Sequence, residues 1–169
     1  MNLVELNRLP VDRFTAALAE IFEHSPWVAE GAAAGRPYPS VELLHRAMVA
    51  VVDGAGGERQ LALIRAHPEL AGKAAIRGEM AASSKQEQAG AGLAACSPDE
   101  FARLQHLNQA YTARFGFPFI VAVKGLDRRA IIDRFAARLE NPPEVEFREA
   151  LAQIARIARL RLDALLAPG

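Results

Sequence analysis

Apolar residues recur at spacings of three and four along most of the chain, a period that predicts α-helices. Val11, Phe14, Leu18, Ile21 and Phe22 form the first such stripe. Ser25-Pro26 then supplies an N-cap followed by a proline at the first helical position, so one helix is expected to end and another to begin there. Ser40 is placed to cap a segment carrying Val41, Leu44, Met48, Val51 and Val52, which stops at Gly54-Ala55-Gly56-Gly57. A helix from about Glu58 to Ala66 follows. Ser97-Pro98-Asp99-Glu100 combines cap, proline and a carboxylate at N3, opening a helix with Phe101, Leu104, Leu107 and Tyr111 inward. Asp127 opens another, ended by Asn141-Pro142-Pro143, and the last runs from roughly Glu144 to Leu166.

One segment departs from this period. Phe115-Gly116-Phe117-Pro118-Phe119-Ile120-Val121-Ala122-Val123 is aromatic and β-branched, contains a proline and is bounded by Gly125, so it reads as extended. No partner strand is evident, and its backbone N–H and C=O groups must bond to side chains, water or a ligand. The pattern as a whole predicts an all-α fold: a single-domain helical bundle with one short extended segment near residues 117–123.

The final helix is the most sharply two-sided. Phe147, Ala150, Leu151, Ile154, Ala155, Ile157, Ala158, Leu162, Ala164 and Leu165 fall on one half of the wheel, and Arg161 falls among them. Arg148, Glu149, Arg156, Arg159 and Asp163 occupy the other half. A guanidinium on a buried stripe must find an anion or snorkel to the surface. The anion can be a structural carboxylate or a substrate.

Composition narrows the partners. The 169 residues fit one domain, and with 20 basic against 20 acidic side chains there is no net field to favour nucleic acid or an anionic membrane. No run approaches the ~20 apolar residues of a membrane span, and neither the first residues nor Ala167-Pro168-Gly169 resembles a targeting signal. A single cysteine, Cys96, cannot form an internal disulfide. The expectation is a cytoplasmic protein, too short for a fused second enzyme, acting on a small molecule.

Within that frame, His67 is the leading candidate for proton transfer. It ends an apolar helical run in Arg65-Ala66-His67-Pro68-Glu69-Leu70-Ala71-Gly72-Lys73, and Pro68 restricts its backbone and so the direction of its imidazole. A histidine at a helix end can instead be a C-cap or a hydrogen-bonded surface group, and nothing in the sequence takes His24, His45 or His106 beyond that. In Ser83-Ser84-Lys85-Gln86-Glu87-Gln88, Ser84 and Glu87 have capping-box spacing, but Glu87 could instead pair with His67 and favour a proton-donating imidazolium. Gly90-Ala91-Gly92-Leu93 imitates a dinucleotide loop without the surrounding βαβ unit. Walker loops, His-Glu-x-x-His, paired cysteines and nucleophile elbows are absent, which leaves an expectation of no metal and no cofactor.

Several stretches together resemble one family. They are Phe22-Glu23-His24-Ser25-Pro26-Trp27-Val28, His67 through Lys73, Ser84 through Gln88 followed by Ala91-Gly92-Leu93, and Leu107-Asn108-Gln109-Ala110-Tyr111 through Arg114-Phe115-Gly116-Phe117-Pro118-Phe119. In this order they are similar to 2-oxo-4-hydroxy-4-carboxy-5-ureidoimidazoline (OHCU) decarboxylases, over nearly the whole chain; Glu69 stands where an Asp is expected. The resemblance implies an all-helical, cofactor-independent homodimer that decarboxylates OHCU to (S)-allantoin in urate breakdown. It implies His67 as proton donor, Glu87 as its partner and Arg161 as an anchor for the anionic substrate. Pro68, Ser84, Gln88, Phe119, Ile120, Val121, Ala122 and Val123 are implied to bind substrate, the last five largely through backbone groups. Two other classes share the same surface features: a helical ligand-binding or regulatory module, and another lyase or hydrolase of a ureido compound.

Overall fold

Helix starts in this chain are set by side chains that satisfy the otherwise unbonded first N–H groups. The computed structural model describes residues 1–71 and 82–167. Among them it places α1 (Leu3–Arg8), α2 (Val11–Ala17), α3 (Trp27–Ala32), α4 (Val41–Asp53), α5 (Gly57–Ala66), α6 (Ala82–Gly90), α7 (Pro98–Phe115), α8 (Arg128–Arg138) and α9 (Pro143–Leu165). No strand occurs among the described residues, and the fold is all-α as the periodicity predicts. Ser40 accepts from the Leu43 N–H, Asp127 from Ala130, and Ser97 forms a complete capping box with Glu100. Each cap is worth about 1 kcal/mol.

Four expectations about the helices are corrected. The stripe beginning at Val11 is not one helix: α2 stops at Ala17, and turns closed by i→i−3 bonds from Ile21 to Leu18 and from Ser25 to Phe22 carry the chain onward. Successive tight turns bury Leu18, Ile21 and Phe22 as a helix would, so spacing alone could not separate the two. Ser25 is no cap, because its hydroxyl donates to the Glu23 carbonyl at 2.9 Å and α3 starts beyond Pro26. Phe101 lies in the first turn of α7 and is 38% exposed, whereas Leu104, Leu107 and Tyr111 are buried. On α9, Ala164 likewise faces outward, and Phe147, Leu151, Ala155 and Leu165 are only half-buried.

The chain forms two compact units, Met1–Ala66 with Ile154–Gly169, and His67–Gln153. In the first, Leu6, Phe14, Val28, Leu44, Met48, Leu63, Ile64, Ala158 and Leu162 make a largely aliphatic core. Helix α3 packs on α4 at Gly31, where an added Cβ would lie 2.8 Å from a Val51 methyl. His45, inside α4 and so not a cap, donates to the Ala155 carbonyl of α9 at 2.7 Å, a structural hydrogen bond.

The second unit is built on aromatics. Tyr111 of α7 meets Phe115, Phe117, Phe119 and Phe135 with ring centroids 4.5–5.9 Å apart, and Phe119 stacks on Phe135 at 4.0 Å. Gly116 ends α7 in the left-handed region at φ 75°, its N–H bonded to the Thr112 carbonyl, and so turns the chain into this cluster. Any L side chain is strained there. Gly116→Ala is expected to cost about 1 kcal/mol of unfolding free energy, read as a lower urea midpoint at unchanged slope.

Beneath the cluster lies a buried ion pair. The Glu146 carboxylate, fully buried, accepts from Arg138 (2.8 Å), from Asn141 (2.8 Å) and from the Tyr111 hydroxyl. Burial works against its charge, but these donors outweigh burial and hold its pKa below the usual carboxylate value. The same burial, with the Glu146 carboxylate beside it, pushes the Tyr111 phenol well up.

Candidate functional site

His67 is the first residue of the second unit, directly after α5, and is 7% exposed. The α-helix cannot continue through it because Pro68 disfavours helical backbone in the preceding residue. The chain therefore leaves α5 in a turn over residues 67–71, in which Ala71 adopts φ 51°. Gln88 of α6 grips that turn: its Oε1 accepts from the Ala71 N–H at 3.0 Å and its Nε2 donates to the Glu69 carbonyl at 3.4 Å. Gly72 and Lys73, at the end of the His67 motif, lie outside the described residues.

Ser84, Glu87 and Gln88 stand at relative positions 0, 3 and 4, which puts them on one face of α6. Ser84 and Gln88 are buried and Glu87 is half-buried. Helix α6 begins at Ala82, so Ser84 belongs to its first turn and is not a helix cap. That removes the capping-box reading of Ser84 and Glu87. The face that holds Ser84 and Gln88 is the face that meets the His67 turn.

Residues 118–123 are neither helix nor strand, and Phe119, Ile120, Val121, Ala122 and Val123 are all buried. Two backbone groups of this segment bond to side chains. Arg138 donates to the Ile120 carbonyl, and the Ala122 N–H donates to Gln153 Oε1 at 2.9 Å. Gln153 is itself held by donating to Glu149 at 2.8 Å. The Arg138 guanidinium also lies over the Phe119 ring, 4.4 Å from its centroid. A peptide segment fixed at both edges by side chains cannot reorganise cheaply, which suits preorganised hydrogen bonding to a ligand.

In the first unit, Arg161 is buried, as its place on the wheel requires. Its Nη1 donates to the Glu23 carboxylate at 2.9 Å and to the Glu20 carbonyl at 2.8 Å, and Glu23 is itself 1% exposed. A structural anion therefore exists for this cation. Glu23 lies within the stretch Phe22 to Val28, where no sequence pattern marks it as the partner of Arg161.

Arg138, Glu146 and Gln153 were also missed. Glu146 is spaced four and eight residues from the buried Ala150 and Ile154, so its place on the apolar stripe of α9 was the available signal. No sequence pattern ties Arg138 and Gln153 to the extended segment, because the backbone groups they bond there lie 18 and 31 residues away. Among the described residues no group of three or more His, Cys, Asp and Glu could hold a metal ion, and no helix is long and apolar enough to cross a membrane.

The described residues thus form an all-helical protein in which a buried imidazole begins a turn gripped by a polar face of α6, with a buried irregular peptide segment in the same unit. The family model for OHCU decarboxylase matches residues 7–163, which run through both units, and the chain belongs to that family. It is 44% identical over 162 residues to the 2-oxo-4-hydroxy-4-carboxy-5-ureidoimidazoline decarboxylase of Haloferax volcanii, covering 96% of this chain and 94% of that protein. It is 45% identical over 158 residues to the uric acid degradation bifunctional protein PucL of Bacillus subtilis, covering 94% of this chain and 31% of the bifunctional one. Among solved structures, it is similar to (S)-allantoin synthase with a TM-score of 0.79 at 28% identity, over 98% of this chain and 54% of that one. A structure of OHCU decarboxylase in the presence of (S)-allantoin has a TM-score of 0.73 over 90% of this chain and 99% of that one; at 21% identity it speaks to the fold alone.

Proposed function

We infer that the protein is a carboxy-lyase that decarboxylates OHCU to (S)-allantoin in uric acid degradation. The observation that carries this reading is the His67 turn gripped by Gln88 of α6, in a chain whose family match spans residues 7–163. Breaking the bond from the ring to its carboxylate releases carbon dioxide and leaves an electron pair that flows into the adjacent imine. The substrate is thus its own electron sink. The protein has to hold the ring, stabilise the developing negative charge and deliver one proton to one face.

His67 is assigned the proton, with Glu87 as the carboxylate that favours its protonated form. Pro68, Ser84 and Gln88 are assigned to the substrate, as are the backbone groups of residues 119–123, whose rigidity supports transition-state hydrogen bonding. Arg161 is assigned to the substrate carboxylate, on the strength of the family likeness and of a buried guanidinium presenting several donors. No organic cofactor is assigned. The two units are read as one functional domain, acting as a cytoplasmic homodimer.

Two measurements check these assignments. Arg161→Lys keeps a charge opposite Glu23 but loses the planar fork, so the KM for OHCU is expected to rise several-fold with helicity retained. Unaltered kinetics would confine Arg161 to its ion pair. The reaction class is tested by stoichiometry: freshly made OHCU is expected to release one carbon dioxide per molecule consumed. Release of ammonia or urea without carbon dioxide would identify a ureido hydrolase instead.

A further inference from the structure

The turn after α5 is held from a second side. On α7, Gln105 Nε2 donates to the Ala71 carbonyl at 2.8 Å, Asn108 Nδ2 to the Leu70 carbonyl at 2.9 Å, and Thr112 Oγ1 to Glu69 Oε1 at 3.4 Å. Gln105, Asn108 and Thr112 are spaced by three and four residues and so form one stripe of α7. They meet residues 71, 70 and 69 in reverse order, one rung per residue.

Two details show that this ladder does more than fill space. Ala71 is held at φ 51°, a conformation that an L residue does not choose unaided, so the turn's geometry is imposed by its partners. Asn108 is 3% exposed, and its Oδ1 has no hydrogen-bond partner among the described residues. Burying an amide oxygen without a partner costs stability, so filling space does not by itself account for an asparagine here. Its one bond, to Leu70, is what an apolar residue could not supply.

We propose that Asn108, assisted by Gln105, is a positioning residue: the α7 ladder fixes the 67–71 turn and thereby the direction of the His67 imidazole. The inference rests on the reading of His67 as proton donor. Neither residue acts on substrate; each acts through the turn that carries His67. Misplacing a reacting group by about 1 Å can cost roughly 10²-fold in rate, so the effect belongs in kcat and not in KM.

The test is a set of double-mutant cycles, read by formation of optically active allantoin. Asn108→Asp keeps the shape but removes the N–H donor, and is expected to lower kcat about 10- to 100-fold with KM within about twofold of the parent. Gln105→Leu, at a half-buried site less demanding for folding, is expected to lower kcat a few-fold, and Gln105→Lys, which restores a donor, to recover most of it. In a His67→Asn background the same changes are expected to alter kcat less than about twofold, since the group they aim is gone. Equal losses in both backgrounds, or losses confined to KM, would overturn the positioning role while leaving the proton donor in place. Full kcat in His67→Asn itself would overturn the proton-donor reading and this inference with it.

Discussion

Replacing His67 by asparagine is expected to lower kcat by roughly 10²- to 10⁴-fold, the range typical of a lost general acid, while Tm stays near that of the parent. Asparagine is nearly isosteric with the inner half of the imidazole, so the site stays filled. Four bonds that hold the turn run to backbone groups of residues 69–71 and remain in the variant. The loss is therefore expected chiefly in the chemical step. KM should change little, because a proton donor acts chiefly on the transition state. A residual rate should survive, since the groups proposed to hold the ring do not depend on the imidazole. Steady-state kinetics on fresh OHCU decide the matter, and a variant with parental kcat would remove His67 from the mechanism.

Arg138→Met is expected to destabilise the protein by roughly 3–5 kcal/mol, a Tm fall of about 10 °C or more for a chain of this size. The substitution leaves the fully buried Glu146 carboxylate with Asn141 and Tyr111 but no cation. It also strips the Ile120 carbonyl of its donor and uncovers the face of Phe119. The penalty comes mainly from the stranded charge, so the double variant Arg138→Met with Glu146→Met is expected to recover part of the loss. Acid should act in the same direction. Because the folded pKa of Glu146 lies below its ordinary value of 4.5, its contribution is complete above that value and is lost as pH falls through the folded pKa. Urea titrations of parent and variant should accordingly converge as the pH falls below 4.5 and through the folded pKa of Glu146. A parental acid profile in Arg138→Met would remove the ion pair from the stability of the second unit.

The helices that were easiest to read were those whose caps are local. Ser40, Ser97 and Asp127 each bond to an N–H three residues away, so the signal and its partner lie in one short window. The run from Leu18 to Ser25 misled because turns closed at i−3 bury the same apolar positions that a helix would. Residues 117–123 stand out as an interruption whose backbone needs side chains, water or a ligand, and for two of its groups the partners are side chains. Which side chains do so was not legible, because Arg138 and Gln153 lie 18 and 31 residues away from their backbone partners.

The site was legible in part for the same reason. Pro68 marks His67 within its own tripeptide, and the burial of Arg161 follows from the period of α9. The grip of Gln88 on residues 69 and 71, by contrast, joins positions 17 and 19 apart across a turn whose path no local pattern dictates. The capping-box spacing of Ser84 and Glu87 was a true match to a motif in the wrong place, two residues inside a helix that begins at Ala82. A motif of two polar residues is common enough on any helix face to arise without its usual role.

The central claim is that this chain removes carbon dioxide from OHCU and protonates one face of the product. It is tested most directly by generating OHCU from urate with urate oxidase and hydroxyisourate hydrolase, adding the protein and following circular dichroism. The account predicts faster allantoin formation with a growing signal of the (S) enantiomer, against slow racemic product without the protein. Racemic allantoin at the uncatalysed rate would contradict it.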